Sequence, residues 1–286
     1  MSLAQKLKIA LLQVGATADK AANLALVKAK VTEAAANGAK LVVLPECFNS
    51  PYAVTAFPKY AESIPEGETT QFLSQLAQDT KTFIIGGSIP ENADGKIYNT
   101  NISFNPRGEL IGKHRKVHLF DINVPGKIRF IESEVLSPGN KATVIDIEGY
   151  GKVGVGICYD IRFPELASIA GRKGAFAMIY PGAFNLTTGP LHWSLLGRAR
   201  SNDNQLYVLM CGPARDMTSG YHAWGHSLVA DPLGQIITEA DEKETIVYAE
   251  LDPELIENTR ATIPITTQRM FGVYDDVAAT GKCSAL

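Results

Sequence analysis

The sequence contains few cysteines, and no two of them are close together. The four are Cys47, Cys158, Cys211 and Cys283, and none belongs to a CxxC pair or to a Cys/His pair at metal-ligand spacing. Disulfide-stabilised secreted domains and zinc sites depend on such spacing. We therefore predict neither a disulfide framework nor a metal site, and no motif in the chain points to a cofactor.

Charge of one sign and long hydrophobic runs are also lacking. The 286 residues carry a formal net charge of -3 without a long block of like charge, so neither nucleic acid nor a membrane surface is a predicted partner. No segment reaches the roughly 20 apolar residues of a membrane-spanning helix. The first residues, MSLAQKLKIALLQV, lack a cleavage site of small residues. We expect a cytoplasmic protein that binds a small molecule or another protein.

Strand and helix patterns alternate along the chain in two similar halves. Apolar runs near 8–14, 41–44 and 83–90 predict strands, separated by helices that begin near Asp19 and Thr69. A predicted hairpin with its turn at 105–108 and a long connection at 121–140 precede a second strand–helix succession from Ala142. With 45% hydrophobic residues, we predict one α/β domain spanning residues 1–286, with its core at about 8–274. Its two sheets would pack on each other with helices outside.

The stretch KVGVGIC places Cys158 where a buried strand meets a helix. Val153, Val155 and Ile157 alternate with glycines, and the following RFPELASIAGRKG has helical apolar spacing. Free N–H groups at a helix start lower a thiol pKa and can hold an oxyanion. A lone cysteine in a strand is more often an inert core residue. A catalytic role for Cys158 therefore requires ionisable side chains close to its thiol.

Three ionisable residues elsewhere are candidates for those partners. Glu46 follows the apolar run LVVLP and lands at a strand exit. Strand alternation places His114, Lys116 and His118 on one face of the predicted hairpin. Glu132 lies in the long connection, where ordered loops are often functional. Each has an ordinary explanation as a helix cap, a solvated basic cluster or an exposed loop residue. The functional interpretation requires that these side chains and Cys158 lie close together in the folded protein.

Several motifs resemble one known family. LPECFNSPY, GGSIPE, KHRKVHLFDINVPG, FIESEVLSPG, GVGICYDIRFPELA and IYPGAFNLTTGPLHW occur in one order between about Lys8 and Tyr274. They are similar to the carbon–nitrogen hydrolases of the nitrilase superfamily, and CFNSPY, HLFDINVPG and PGAFNLTTGPLHW most resemble its omega-amidase branch. Tyr159 departs from many relatives, which have tryptophan after the cysteine.

The resemblance implies a fold, a catalytic set and a partner. It implies a four-layer α-β-β-α sandwich, and a homodimer paired through outer helices. It implies Glu46 as the base, Lys116 as the oxyanion-binding lysine, Cys158 as the nucleophile and Glu132 as a supporting glutamate. No histidine is required by this mechanism, and we interpret His192 and His226 as structural.

The omega-amidase likeness implies hydrolysis of the terminal amide of short 2-oxo acids, 2-oxoglutaramate and 2-oxosuccinamate. Alternatives are an amidase for deaminated glutathione, an N-carbamoyl amino acid hydrolase, or a non-catalytic binding protein on the same scaffold. A substrate carboxylate needs a cation in a buried pocket. Arg162 is a candidate, although it could instead pair with Glu165 or Asp121. The candidate pocket residues are Tyr52, Tyr159, Arg162, Phe184, Asn185 and Thr187.

Overall fold

The computed structural model describes residues 3–124 and 128–273. The predicted core boundary at Tyr274 and the fourth cysteine, Cys283, lie outside these ranges. In chain order the strands are β1 (Leu7–Gln13), β2 (Leu41–Val43), β3 (Phe83–Ile85), β4 (Ile89–Ala93), β5 (Lys96–Phe104), β6 (Leu110–Arg115), β7 (Asp121–Val124), β8 (Ile128–Ile131), β9 (Thr143–Ile147), β10 (Gly151–Val155), β11 (Ala175–Pro181), β12 (Tyr207–Cys211), β13 (Leu228–Ala230), β14 (Ile236–Glu239) and β15 (Thr245–Leu251).

Helices connect the parallel strands and cover the outer faces of the sheets. The helices are α1 (Lys20–Ala36), α2 (Phe57–Tyr60), α3 (Glu68–Thr80), α4 (Pro164–Arg172), α5 (Gly189–Asn204), α6 (Pro253–Thr262) and α7 (Ile265–Gln268), with short 3-10 helices at Glu132–Glu134, Cys158–Arg162 and Phe271–Val273. Helix α1 begins where the sequence predicts, because the Asp19 carboxylate accepts the Ala22 N–H at 3.0 Å. No helix in the described ranges is long and apolar enough to cross a membrane.

Two large sheets form the centre of the molecule. The first has seven strands in the order β15-β1-β2-β3-β5-β4, with β6 paired to β5, and the second has six in the order β14-β13-β12-β11-β10-β9. Within them, β1, β2 and β3 are parallel, as are β10, β11 and β12. The last strand, β15, returns to pair with β1 of the first sheet. It therefore ties the end of the second half of the chain to the first.

The core forms between the sheets and beneath the helices on each side. Leu11 and Val43 of the first sheet pack in one buried cluster with Ile179 and Leu209 of the second. A second cluster joins the opposite face of the first sheet to α1 and α3, and a third joins the second sheet to α4 and α5. Each fully buried large aliphatic side chain contributes roughly 1.5–3 kcal/mol. The predicted four-layer α-β-β-α sandwich is confirmed, and it fixes the relative position of the strand ends.

Two local predictions between residues 110 and 140 are wrong. The period-2 alternation stops at Arg115, where β6 ends. After Lys116 donates its backbone N–H to Asn99 O at 2.8 Å, the chain leaves the sheet because the Asp160 carboxylate takes the next two backbone N–H groups. The connection predicted at 121–140 also contains regular structure, since β7 and β8 pair as an antiparallel hairpin.

Candidate active site

The two sheets bring an acidic and a thiol side chain to one end of the sandwich. Glu46 follows β2, and Cys158 follows β10. The sheets are linked there by the Ala183 N–H, just beyond β11, which donates to Glu46 Oε2 at 2.8 Å. Asn99 Nδ2 donates to the other oxygen, Glu46 Oε1, at 2.9 Å. Donors from both halves of the chain thus hold the Glu46 carboxylate in one orientation.

Lys116 lies between two carboxylates and is completely buried. Its Nζ donates to Glu46 Oε1 at 3.0 Å and to Glu132 Oε1 at 2.9 Å, and its side chain has no exposed surface. Burial alone would lower the pKa of Lys116, but the negative charges of Glu132 and Glu46 outweigh it and raise that pKa well above its usual value. The group is therefore an ammonium that cannot act as a base near neutral pH.

Glu132 is held at both oxygens. Besides Lys116, its Oε1 accepts the Tyr52 hydroxyl at 2.8 Å, and its Oε2 accepts the Phe120 backbone N–H at 2.7 Å. Burial raises the pKa of Glu132, and the like charge of Glu46 also raises it, whereas Lys116 opposes both. Glu132 thus begins to take up a proton at a higher pH than an ordinary glutamate.

Cys158 opens the 3-10 helix at Cys158–Arg162 with a backbone φ of +47°. This left-handed conformation is costly for a residue with a Cβ and is common at functional sites. The side chain is buried, with 5% exposed surface. Burial raises the pKa of the Cys158 thiol well above its usual value, and the charge of Glu46 raises it further, while Lys116 lowers it. Because the thiol is the resting form, its use as a nucleophile requires a base.

Two cavities adjoin these residues. The larger, which we call the outer cavity, has a volume of about 440 Å³, and its lining includes Glu46 and Tyr52. The smaller, the thiol cavity, has a volume of about 10 Å³. It is lined by Phe120, Cys158, Tyr159, Arg162, Ala183, Phe184, Thr188 and Tyr221. An acid–base group, a cation and a thiol thus lie at or beside two adjacent cavities, and this set of groups suits nucleophilic attack on a polarised carbonyl.

The sequence also matches a family model. Residues 8–261 match the model described as "Carbon-nitrogen hydrolase". The chain belongs to the carbon–nitrogen hydrolase family. The expectation of a hydrolase acting on carbon–nitrogen (amide) bonds is thereby confirmed, and the alternative of a non-catalytic binding protein loses its support.

Relatives and solved structures place the chain within the nitrilase superfamily. It is 58% identical to omega-amidase NIT3 of Saccharomyces cerevisiae over 285 residues, with 97% of this chain and 98% of that protein covered. It is 53% identical to omega-amidase NIT2 of Mus musculus over 267 residues, covering 93% and 96%. The crystal structure of S. cerevisiae Nit3, described as a member of branch 10 of the nitrilase superfamily, superposes with a TM-score of 0.88 at 55% identity, covering 94% and 98% of the two chains. The predicted resemblance is confirmed.

Four of the six predicted pocket residues line one of the two cavities. Tyr52 lines the outer cavity, whereas Tyr159, Arg162 and Phe184 line the thiol cavity. Asn185 and Thr187 line neither cavity. The Asn185 Oδ1 instead accepts the backbone N–H groups of Thr187 and Thr188 at 3.0 and 2.8 Å, which shapes the turn before α5. Thr187 is exposed, and its neighbour Thr188 faces the thiol cavity.

Arg162 has aromatic rather than acidic neighbours. Its guanidinium carbon lies 5.1 Å from the ring centre of Phe184 and 5.5 Å from that of Tyr159, and its Nη1 lies 3.2 Å from His192 Nδ1. Within residues 3–124 and 128–273 it forms no ion pair with Glu165 or Asp121, and its buried Nε has no hydrogen-bond partner. Among the described residues, no carboxylate therefore forms an ion pair with Arg162 beside the thiol cavity.

Sequence reasoning missed Asp160, which connects the segment after Lys116 to the segment before Cys158. The buried carboxylate accepts N–H groups from Ile157 at 2.9 Å, from Val117 at 3.2 Å and from His118 at 2.9 Å. It also lies 3.0 Å from His114 Nε2 and 2.8 Å from His118 Nδ1. Burial would raise the pKa of Asp160, but the histidine hydrogen bonds reverse this and lower it below its usual value. An acidic residue two positions after the candidate nucleophile was the available signal.

Two further residues were missed. Asn99 orients Glu46 from the middle of β5, and Tyr221 lies in the loop between β12 and β13, where it borders both cavities. Neither occupies a strand end. The only indication for Asn99 was its place in IYNTNISF, where an amide falls within a strand pattern. Tyr221 had no comparable signal.

Proposed function

We propose that the protein is an omega-amidase that hydrolyses the terminal amide of 2-oxoglutaramate and 2-oxosuccinamate, giving the 2-oxo dicarboxylate and ammonia. The observation that carries the proposal is the buried Lys116 ammonium shared by Glu46 and Glu132 beside the Cys158 thiol. An amide has a poor leaving group, so its hydrolysis needs a nucleophile, an oxyanion-binding group and a proton donor. The relatives named omega-amidase support the choice of substrate.

In the first step, Glu46 removes the thiol proton as Cys158 Sγ attacks the amide carbon. The high pKa of the buried thiol makes this base necessary. The Glu46 carboxylate is suited to the task because Asn99 and the Ala183 N–H fix its orientation. The carbon–sulfur bond forms, and the carbonyl electrons move onto oxygen.

Lys116 and the backbone N–H of Tyr159 stabilise the resulting oxyanion. An ammonium has three N–H donors, of which the two carboxylates take two, so the third is available to the substrate. Tyr159 is the second residue of a 3-10 helix, where backbone N–H groups lack intrahelical acceptors. Collapse of the intermediate breaks the carbon–nitrogen bond, and Glu46 returns its proton to the departing nitrogen, which leaves as ammonia.

A thioester to Cys158 remains and is hydrolysed by water. Glu46, again a carboxylate, takes a proton from the water as the water oxygen attacks the thioester carbon. The carbon–sulfur bond then breaks, the acid product leaves, and Glu46 returns the proton to sulfur. Glu132 orients Lys116 through its 2.9 Å contact and is itself fixed by Tyr52 and by the Phe120 N–H. Its removal is expected to lower turnover more than substrate affinity.

Recognition of the substrate carboxylate is assigned to Arg162. Two observations support this role: its buried Nε has no hydrogen-bond partner in the part of the chain that the structure describes, and the residue lines the thiol cavity. A buried carboxylate requires a cation or several donors. The rings of Tyr159 and Phe184, whose centres lie 5.5 and 5.1 Å from the guanidinium carbon, line the same cavity. Thr188, rather than the predicted Asn185 and Thr187, lines this cavity.

A second candidate, an amidase for deaminated glutathione, is favoured by one observation. The outer cavity of about 440 Å³ offers room for a longer amide. Ammonia release from 2-oxoglutaramate, 2-oxosuccinamate, deaminated glutathione and an N-carbamoyl amino acid would distinguish these functions. We expect the two short 2-oxo amides to be turned over with the highest kcat/KM. Turnover of deaminated glutathione with inert 2-oxoglutaramate would contradict the omega-amidase assignment.

We also propose that the protein is a cytoplasmic homodimer paired through the outer layer of α4 and α5. On α5, Leu191 and Leu195 are one helical turn apart and are 64% and 59% exposed, and Ile169 of the adjacent α4 is 37% exposed. Apolar side chains grouped on an outer helix favour burial against another chain. A reducing compartment would keep the Cys158 thiol available. The proposed single domain spans residues 1–286.

A further inference from the structure

The two cavities of the candidate active site are separated by a common wall. The linings of the outer cavity and the thiol cavity share two residues, Ala183 and Tyr221. Glu46 faces the outer cavity, and Cys158 faces the thiol cavity. A substrate carbonyl must reach Cys158 Sγ, so its acyl group has to occupy space on the thiol side of this wall.

Tyr221 is held in the wall by contacts on several sides. Its hydroxyl donates to the Ala183 carbonyl. Its ring meets the Tyr52 ring edge-on, with centres 4.7 Å apart and planes at 70°, and the Phe130 ring at 5.9 Å and 61°. Its own carbonyl accepts the Ser219 hydroxyl at 2.6 Å. These contacts fix a large, planar side chain between the two spaces.

The sizes of the two spaces are very different. The outer cavity, at about 440 Å³, lies within the range of small-molecule sites, which is roughly 300–1,000 Å³. The thiol cavity, at about 10 Å³, is comparable to the space that a single water needs, so even a short acyl group must displace neighbouring side chains when it binds there. The phenol ring of Tyr221 therefore occupies volume that a longer acyl chain would have to fill in order to extend from Cys158 into the outer cavity.

We propose that Tyr221 determines substrate size: its ring keeps the space at Cys158 short and excludes long amides from productive attack. The inference rests on the proposed omega-amidase function and extends it to the residue that selects short substrates. Removal of the Tyr221 ring would join the outer cavity to the thiol cavity and so enlarge the space at Cys158. The excluded class is that of amides whose acyl chain continues into a peptide-like extension.

Tyr221 could instead act only through its hydroxyl, by positioning the Ala183 peptide that donates to Glu46 at 2.8 Å. The two roles respond differently to substitution. Tyr221→Phe removes the hydrogen bond and keeps the ring, whereas Tyr221→Ala removes both. Met217 lies in the same loop, is 58% exposed and lines neither cavity, so Met217→Ala is the matched control.

The experiment measures kcat/KM for ammonia release from 2-oxoglutaramate and from deaminated glutathione in the full-length wild type and in the Tyr221→Ala, Tyr221→Leu, Tyr221→Phe and Met217→Ala variants. Circular dichroism and thermal melts verify folding.

We expect the ratio of kcat/KM for deaminated glutathione to kcat/KM for 2-oxoglutaramate to rise at least tenfold in Tyr221→Ala. A smaller rise is expected in Tyr221→Leu, which tests the inference by itself if the alanine variant does not fold. Tyr221→Phe should change the ratio less than twofold while lowering kcat for both substrates by roughly threefold to tenfold, the cost of one hydrogen bond. Met217→Ala should resemble the wild type.

The outcomes separate the inference from the function on which it rests. If the wild type prefers 2-oxoglutaramate and the ratio stays within twofold in both Tyr221→Ala and Tyr221→Leu, the inference is wrong and the omega-amidase function stands. Equal rises in Tyr221→Phe and Tyr221→Ala would also overturn it, because the hydroxyl would then be responsible. If the wild type already prefers deaminated glutathione, the omega-amidase function fails, and the size limit fails with it.

Discussion

Replacement of Asp160 by asparagine tests whether Lys116 and Cys158, the proposed catalytic lysine and nucleophile, are positioned by the same carboxylate. Asp160 Oδ1 accepts the backbone N–H groups of Val117 and His118, which follow Lys116. Its Oδ2 accepts the N–H of Ile157, which precedes Cys158. Asparagine has nearly the same shape, so Asp160→Asn removes the charge and one acceptor without creating a cavity.

The expected magnitude follows from the donors that lose their acceptor. The amide oxygen can keep the Oδ1 contacts, and His114 can change its tautomer, but the Ile157 N–H then faces an NH₂ group. A buried donor left unsatisfied costs about 1–3 kcal/mol, and hydrogen bonds to a charged group contribute about 1.5–3 kcal/mol each. We therefore expect a loss of about 3 kcal/mol in the free energy of unfolding. At roughly 2–4 °C per kcal/mol for a chain of this size, Tm falls by about 6–12 °C.

Activity should fall as well, because Ile157 directly precedes Cys158, the proposed nucleophile. A displacement on the order of 1 Å at a reacting group can cost about 100-fold in rate, so we expect kcat to fall by about 10-fold to 100-fold with a smaller change in KM. The assay is steady-state ammonia release at a temperature where the variant is folded. Asp146→Asn, on the exposed face of β9, is the matched control and should retain wild-type values. An Asp160→Asn enzyme with unchanged Tm and kcat would refute the anchoring argument.

Three further predictions concern the support of Lys116 and the assembly. Glu132→Gln should lower kcat on the order of 100-fold. Because burial and the negative charge of Glu46 raise the pKa of Glu132, protonation of Glu132 contributes to the acid limb of the wild-type kcat profile. The variant lacks this carboxyl group and should show that limb at lower pH, and an unmoved limb would contradict this role of Glu132. Tyr52→Phe removes one hydrogen bond to Glu132 and should lower kcat by about 5-fold to 30-fold, or about 1–2 kcal/mol, with little change in KM; unchanged turnover would show that the hydroxyl does not support the site. Leu195→Glu should convert the proposed dimer to a monomer in sedimentation velocity runs that show a dimeric wild type, and a variant that remains dimeric would contradict an interface on α4 and α5.

The sequence allows the strand ends to be predicted, because buried parallel strands leave a strong apolar signal. Leu41 to Leu44 and the alternating Val153 and Val155 identify β2 and β10 and therefore the positions of Glu46 and Cys158 at one edge. The family resemblance adds Lys116 and Glu132, which lie outside regular strands. The two-sheet architecture follows from the repeated strand–helix succession, whereas the return of β15 to β1 depends on pairing between residues more than two hundred positions apart.

Long-range contacts explain what the sequence does not reveal. Asp160 gathers donors from two segments more than forty positions upstream as well as from Ile157, and no local pattern records this. Those donors are also the reason that strand alternation fails after Arg115. The hairpin of β7 and β8 has strands of four residues each, too short for a period to be recognised. Tyr221 lies in an irregular loop, and only the positions of the two cavities single it out.

The central claim is that Cys158 carries the acyl group during turnover. The enzyme would be mixed with 2-oxoglutaramate, quenched in acid within the steady state, and digested for peptide mass spectrometry. We predict an acyl adduct on the peptide containing Cys158, and no adduct in a Cys158→Ala variant, which should lack activity. An adduct on Cys47 or Cys211, or ammonia release by Cys158→Ala at the wild-type rate, would contradict the account.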